Sequence, residues 1–189
     1  YPLRMEEFGG GFIYSLADDR LAVGFVCGLD YRDPMFDPHV RFQHFKRHPL
    51  VAGLLAGGQM VRYGAKALPE GGWHAVPRVY ADGLLIAGDA GGFLNSMRLK
   101  GIHLAMRTGM LAAEAAFDAV THDDVSANRL KSYQAAIGAG EVRRELYPVR
   151  NVHQSFGYGL LAGLAYSGLS LVSGLVGPGW LGVAVNEPA

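Results

Sequence analysis

Two apolar runs rich in β-formers lie near the start of the chain, residues 8–16 (FGGGFIYSL) and 21–29 (LAVGFVCGL). Residues 17–20, ADDR, separate them with turn chemistry, so the pattern predicts a β-hairpin. Both faces of each run are apolar, which predicts a sheet that is covered or that faces something greasy. Asp37 followed by Pro38 supplies an N-cap oxygen and a first-turn proline, predicting a helix through residues 40–48 that stops before Pro49. Residues 59–68 alternate: Val61, Tyr63, Ala65 and Ala67 share one side while Arg62 and Lys66 share the other. That period predicts a half-buried strand, ended by the Glu70-Gly71-Gly72 turn.

The turn Ala81-Asp82-Gly83 predicts a short buried strand at residues 84–87, LLIA. The glycine-rich stretch GDAGGFLN, residues 88–95, follows it. A helix is expected over residues 101–119, with Gly101, Ala105, Gly109, Ala112 and Ala116 on one side. Such small side chains let a helix lie close to a sheet or a flat ligand. Asp123 or Asp124 is a candidate cap for a further helix whose inner face carries Leu130, Tyr133 and Ile137. Residues 155–185 carry no charge, and Pro178 interrupts the run. About 20 apolar residues suffice for a membrane span, but the glycine density argues for a buried or membrane-contacting helix, with Tyr158, Tyr166 and Trp180 available for an interface. A core helix of a larger protein reads equally well.

A chain of 189 residues holds one large domain or two small ones. Its formal net charge of zero gives no reason to expect a nucleic-acid partner. The one cysteine, Cys27, can form no internal disulfide and cannot by itself hold an iron–sulfur cluster. It reads as a buried strand residue, and a reducing compartment fits. The first residues, YPLRMEEFGGGF, do not read as a signal peptide but as the middle of a longer protein. His44 and His48 stand four apart on an expected helix, yet zinc wants three or four ligands and none lies nearby at ligand spacing. No metal site is expected, and no catalytic acid–base or nucleophilic residue is named. There is no Gly-x-Ser-x-Gly.

The stretch at 88–95 has two readings. A strand entering a glycine turn and then a helix points backbone N–H groups at one spot, where the helix start adds partial positive charge. Asp89 would repel phosphate but suits a sugar or polyol hydroxyl. Gly91 and Gly92 let the backbone approach a bulky ligand, and Asn95 can donate and accept. On this reading the stretch is expected to be a site for the polyol part of a flavin. The plainer reading is a connection in which Asp89 caps the turn and the glycines bend it.

GDAGGFLN followed by MRLKG resembles the second FAD-binding motif of the electron-transfer flavoprotein–ubiquinone oxidoreductases. FGGGFIYSL, GLDYRDPMFDP, FQHFKRHPLV, GGQMVRYGAKALPEGGWHAVPR and ELYPVRN resemble other segments of that family in the family's order, together covering residues 8–165. The geranylgeranyl reductases and the flavoproteins linked to nitrogen fixation share the Gly-Asp turn and are the nearest alternatives. A membrane-associated fragment without enzymatic activity is a third.

The resemblance implies an α/β (α+β) fold, part of a glutathione-reductase-like FAD domain joined to a quinone-binding domain of sheet and helices. Residues 1–75 would be most of the quinone-binding domain. Residues 76–120 would return to the FAD domain, and 121–189 would be helical and lead towards a cluster domain. The implied activity is electron transfer from electron-transfer flavoprotein, through FAD and one [4Fe–4S] cluster, to ubiquinone. The place would be the cytoplasmic face of a bacterial inner membrane or the matrix face of the mitochondrial one. Gly88, Asp89, Ala90, Gly91, Gly92, Phe93, Leu94, Asn95 and Gly101 would hold FAD, with Asp89 on the ribityl chain and Asn95 near the ring. Phe8, Gly9, Gly10 and Phe12 would line the quinone pocket. The resemblance also carries two absences: there is no GxGxxG and there are no cluster cysteines. The chain therefore reads as an internal fragment, inactive alone, with the cluster expected outside it.

Overall fold

The computed structural model describes residues 2–5 and 7–176. The Pro178-Gly179-Trp180 feature lies outside the described residues. The chain divides into two compact units, residues 1–65 with 158–160, and residues 66–157 with 161–189.

The first unit begins with the expected hairpin, β1 (Gly9–Leu16) paired antiparallel with β2 (Arg20–Cys27). Asp18 and Asp19 both adopt positive φ, 59° and 51°, a conformation aspartate tolerates better than most residues. Residues two apart share a face of a strand. On one face Phe25 meets Phe42 and Phe45, with ring centroids 6.4 and 6.1 Å away. On the other face Phe12 and Tyr14 stack at 5.8 Å and stay about half exposed, together with Leu16 and Val26. The expectation of two apolar faces thus resolves into one covered face and one open face.

Helix α1 (Pro38–Lys46) starts where the sequence places it: Asp37 accepts from the backbone N–H of His39 at 2.7 Å and of Val40 at 3.2 Å. A second short helix, α2 (Pro49–Leu55), follows at once. Pro49 forbids continuation of α1 but is well suited to the first turn of a new helix. The expected strand at residues 59–68 is not formed, and every one of these residues is exposed. Alternation makes a strand only when a neighbouring strand accepts its N–H groups, and no such neighbour exists among the described residues.

In the second unit the strands are minimal. β3 (Tyr80–Ala81) pairs with β4 (Leu84–Leu85) around Asp82-Gly83. The expected buried strand at 84–87 is therefore only two residues long, and Leu84 is exposed. Two residues and a single hairpin partner cannot bury a strand on both faces. Among the described residues both sheets are two-stranded antiparallel hairpins, so the fold is a mixed, mainly helical α+β arrangement.

The unit's core lies among helices α3 (Ile102–Thr121), α4 (Ala127–Ala139) and α5 (Glu141–Leu146). Leu104, Thr108, Ala115 and Ala119 are the buried residues of α3. The stripe of small residues lies beside that line, not on it. Leu130, Tyr133 and Ile137 are buried on α4, as their spacing predicts. The cap of α4 is Ser126, whose Oγ accepts from Arg129, while Asp124 accepts from the N–H of Ser126. Helices α6 (Val152–Phe156) and α7 (Leu160–Val176) follow. Leu161, Leu164, Leu169 and Val172 on α7 are exposed in this chain. Among the described residues no helix is long and apolar enough to cross a membrane.

Candidate functional site

Two places carry the residues of interest, one in each unit. In the first unit, Gly11, Phe12 and Ile13 of β1, Phe45 near the end of α1, and His48, Leu50 and Val51 at the start of α2 line a cavity of about 310 Å³. The break at Pro49 builds it: α1 ends, the chain turns, and Leu50 and Val51 come up beside Phe45. A volume of this size lies at the lower end of small-molecule sites, which are mostly apolar with few polar groups. Here six of the seven lining residues are apolar or glycine, and His48 alone is ionisable.

In the second unit, residues Gly88–Gly91 form a 3₁₀ turn directly after β4 and ahead of α3. Gly88 has φ +66°, and a Cβ there would crowd Ala105 at 3.3 Å. Its N–H donates at 3.0 Å to the hydroxyl of Thr108, which in turn donates to Leu104 O at 2.8 Å. Phe93 is wholly buried and joins the core. The hydroxyl of Tyr133 donates to Ile86 O at 2.9 Å, and burial raises its pKa to about 12. Turn, α3 and α4 are thereby fixed together.

Asp89 stands at the mouth of this turn. A Cβ on Gly101, the residue before α3, would lie 2.9 Å from Asp89 Oδ1, so the carboxylate sits over the positive end of a 20-residue helix. The helix start has no side-chain cap. Lys66 approaches Asp89 at 3.6 Å. Ser96 is buried, and its hydroxyl has no hydrogen-bond partner. A partly exposed carboxylate beside uncapped helix N–H groups offers an acceptor and donors, so these residues fit the sugar-alcohol part of a flavin.

Asn95 is buried deeper, at 2% exposure. Its Oδ1 accepts from the N–H of Met97 at 3.2 Å and of Arg98 at 3.1 Å, closing a turn. Its Nδ2 donates to Glu145 Oε1 at 3.1 Å. The other oxygen of Glu145 meets His103 Nε2 at 2.7 Å. Burial raises the Glu145 pKa, but the hydrogen bonds from His103 and Asn95 and the charge of Arg98 outweigh it and hold the carboxyl below its ordinary value.

Residues 1–68 match the family model described as "ETF-QO, ubiquinone-binding". The Arabidopsis thaliana protein named electron transfer flavoprotein-ubiquinone oxidoreductase, mitochondrial, is 42% identical over 169 residues, covering 89% of this chain and 26% of that protein. The Saccharomyces cerevisiae protein named as a probable enzyme of the same kind is 37% identical over 191 residues, covering 89% and 30%. The Sus scrofa protein of that name is 37% identical over 177 residues, covering 89% and 29%. Over 89% of its length the chain is similar to proteins named electron transfer flavoprotein-ubiquinone oxidoreductase. It spans between 26% and 30% of the length of these relatives.

The structure distributes the expected site residues as follows. The cavity falls within the matched segment, and Phe12 lines it. Phe8, Gly9 and Gly10 stand at the start of the same hairpin, outside the lining; Gly10 is open, with nothing within 4 Å of where a Cβ would be. Gly88, Asp89, Gly91, Gly92, Phe93, Leu94, Asn95 and Gly101 gather at one turn and helix start, with Ala90 exposed. Phe45, His48, Leu50, Val51, His103 and Glu145 are not apparent from sequence spacing. The Pro49 break was the available signal for the first four; none marks Glu145, fifty residues from Asn95. Cys27 is half-buried, and its thiol is pushed up by burial first and by Glu7 second. Among the described residues no group of three or more His, Cys, Asp or Glu could hold a metal ion.

Proposed function

We propose that this chain forms the quinone-binding and flavin-returning parts of a membrane-associated oxidoreductase that passes electrons from electron-transfer flavoprotein, through FAD and a [4Fe–4S] cluster, to ubiquinone. The observation that carries the reading is the apolar cavity within residues 1–68. A segment matched as ubiquinone-binding contains a space of about 310 Å³ with mainly aliphatic and aromatic walls and one ionisable rim residue. FAD, when bound, supplies the redox chemistry. This chain's own residues bind and orient: Asp89 accepts a ribityl hydroxyl, the α3 start stabilises negative charge, and Asn95 offers an N–H to the ring. Ile13, Phe45, Leu50 and Val51 wall the quinone head. A single cysteine cannot hold the cluster, so no step here is assigned to it.

Membrane contact is part of the same proposal. Phe12, Tyr14, Leu16 and Val26 on the hairpin, and Leu161, Leu164 and Leu169 on α7, are exposed apolar side chains, which suit a protein lying on a bilayer rather than crossing it. The inner mitochondrial membrane or a bacterial inner membrane is the expected place.

The test is a visible spectrum and a turnover assay on the natural polypeptide purified in mild detergent. Flavin bands, with reoxidation by a short-chain ubiquinone, support the reading. A colourless protein, or a flavin indifferent to quinone, contradicts it.

A further inference from the structure

The Asn95 amide is constrained on both sides. Two backbone N–H donors, from Met97 and Arg98, converge on one of its terminal atoms. A donor needs an acceptor, so that atom is the oxygen. The nitrogen then faces Glu145 Oε1 at 3.1 Å. A primary amide is planar and carries two N–H bonds in fixed directions. With one committed to Glu145, the direction of the second is set.

Glu145 is held in its turn. It comes from α5, fifty residues along the chain from Asn95. His103, in the first turn of α3, donates to its second oxygen at 2.7 Å. The carboxylate thus accepts at both oxygens from two different segments, and its side chain is only 25% exposed. Charge-assisted bonds of this kind are short and directional.

We propose that Glu145 and His103 are positioning residues for Asn95, fixing its amide in the one orientation that leaves an N–H for the bound flavin. The inference rests on the proposed flavin reading of the turn and adds two residues to it. Neither touches the cofactor in this account; both act through Asn95. Three segments, the turn, the start of α3 and α5, then meet in one chain of hydrogen bonds: His103 to Glu145 to Asn95.

The test is the flavin midpoint potential of the natural flavin-loaded polypeptide, read by spectroelectrochemical titration. Asn95→Ala is expected to shift the potential. Glu145→Ala is expected to shift it in the same direction, and to shift it no further when added to Asn95→Ala. Glu145→Gln is expected to restore the native value, because its amide oxygen accepts from Asn95 as the carboxylate does. If Asn95→Ala moves the potential and Glu145→Ala does not, or if the two shifts simply add, the positioning role is wrong while the flavin reading stands. If Asn95→Ala leaves the potential unmoved, the flavin reading of Asn95 fails, and this inference with it. Should Glu145→Ala not fold, His103→Ala, which releases the carboxylate from one side only, is read in its place with the same two expectations, the same direction and no addition to Asn95→Ala.

Discussion

The ring of Phe45 occupies the space that a side chain at position 11 would need: a Cβ built on Gly11 would overlap it. Gly11 is therefore glycine because of α1, not because of its own backbone. Gly11→Ala is expected to destabilise the protein by roughly 1–3 kcal/mol through overpacking. Adding Phe45→Leu should recover part of that loss, and urea midpoints of the single and double variants check it.

The cap of α1 gives a simpler expectation. Asp37 satisfies two backbone N–H groups at the helix start, and Asp37→Ala should cost about 1 kcal/mol. Asp37→Asn should keep most of it. Thermal melts of the two variants, compared with the parent, decide the matter.

The legibility of this chain follows from where each signal acts. The hairpin, the Asp37-Pro38 start, the Asp82-Gly83 turn and the inner face of α4 were readable, because local backbone chemistry and periodicity determine them. Residues 59–68 misled for a physical reason. Alternation records that a segment meets an apolar surface on one side, but it does not say that this chain provides the surface or the partner strand. The turn at 88–95 was legible as a motif. Its support was not, since Thr108, Glu145 and Tyr133 reach it from 20 to 50 residues away. The cavity escaped because it is built from three separate segments, β1, the end of α1 and the start of α2, which no periodicity encodes.

Glu145 and Glu70 should respond to acid with opposite signs. Glu145 is held below its ordinary pKa in the folded chain. Its contribution is present at neutral pH and is lost as pH falls through the ordinary carboxylate range towards the lower folded value. Glu70 is raised by burial, and its Oε1 is buried without a partner. It disfavours the folded state once ionised, so its contribution is present in acid and lost as pH rises through the raised value. Glu70→Gln should therefore stabilise the protein at pH 7, and Glu145→Gln should flatten the loss of stability in acid. Denaturation midpoints between about pH 3 and 7, the span of ordinary carboxylate titration, read both.

The open face of the hairpin should carry membrane affinity. Tyr14 is 55% exposed beside Phe12. Tyr14→Glu places a charge on that face and should weaken binding to phospholipid vesicles roughly tenfold, about 1.4 kcal/mol. Cosedimentation with vesicles measures it. Unchanged binding would remove the hairpin from the membrane surface.

The central claim is that quinone binds in the cavity between β1, the end of α1 and the start of α2. A photoactivatable ubiquinone analogue, irradiated with the natural polypeptide and mapped by mass spectrometry, tests it most directly. The account predicts labelling at residues 11–13 and 45–51 that excess ubiquinone suppresses. Suppressible labelling confined to other segments would contradict it.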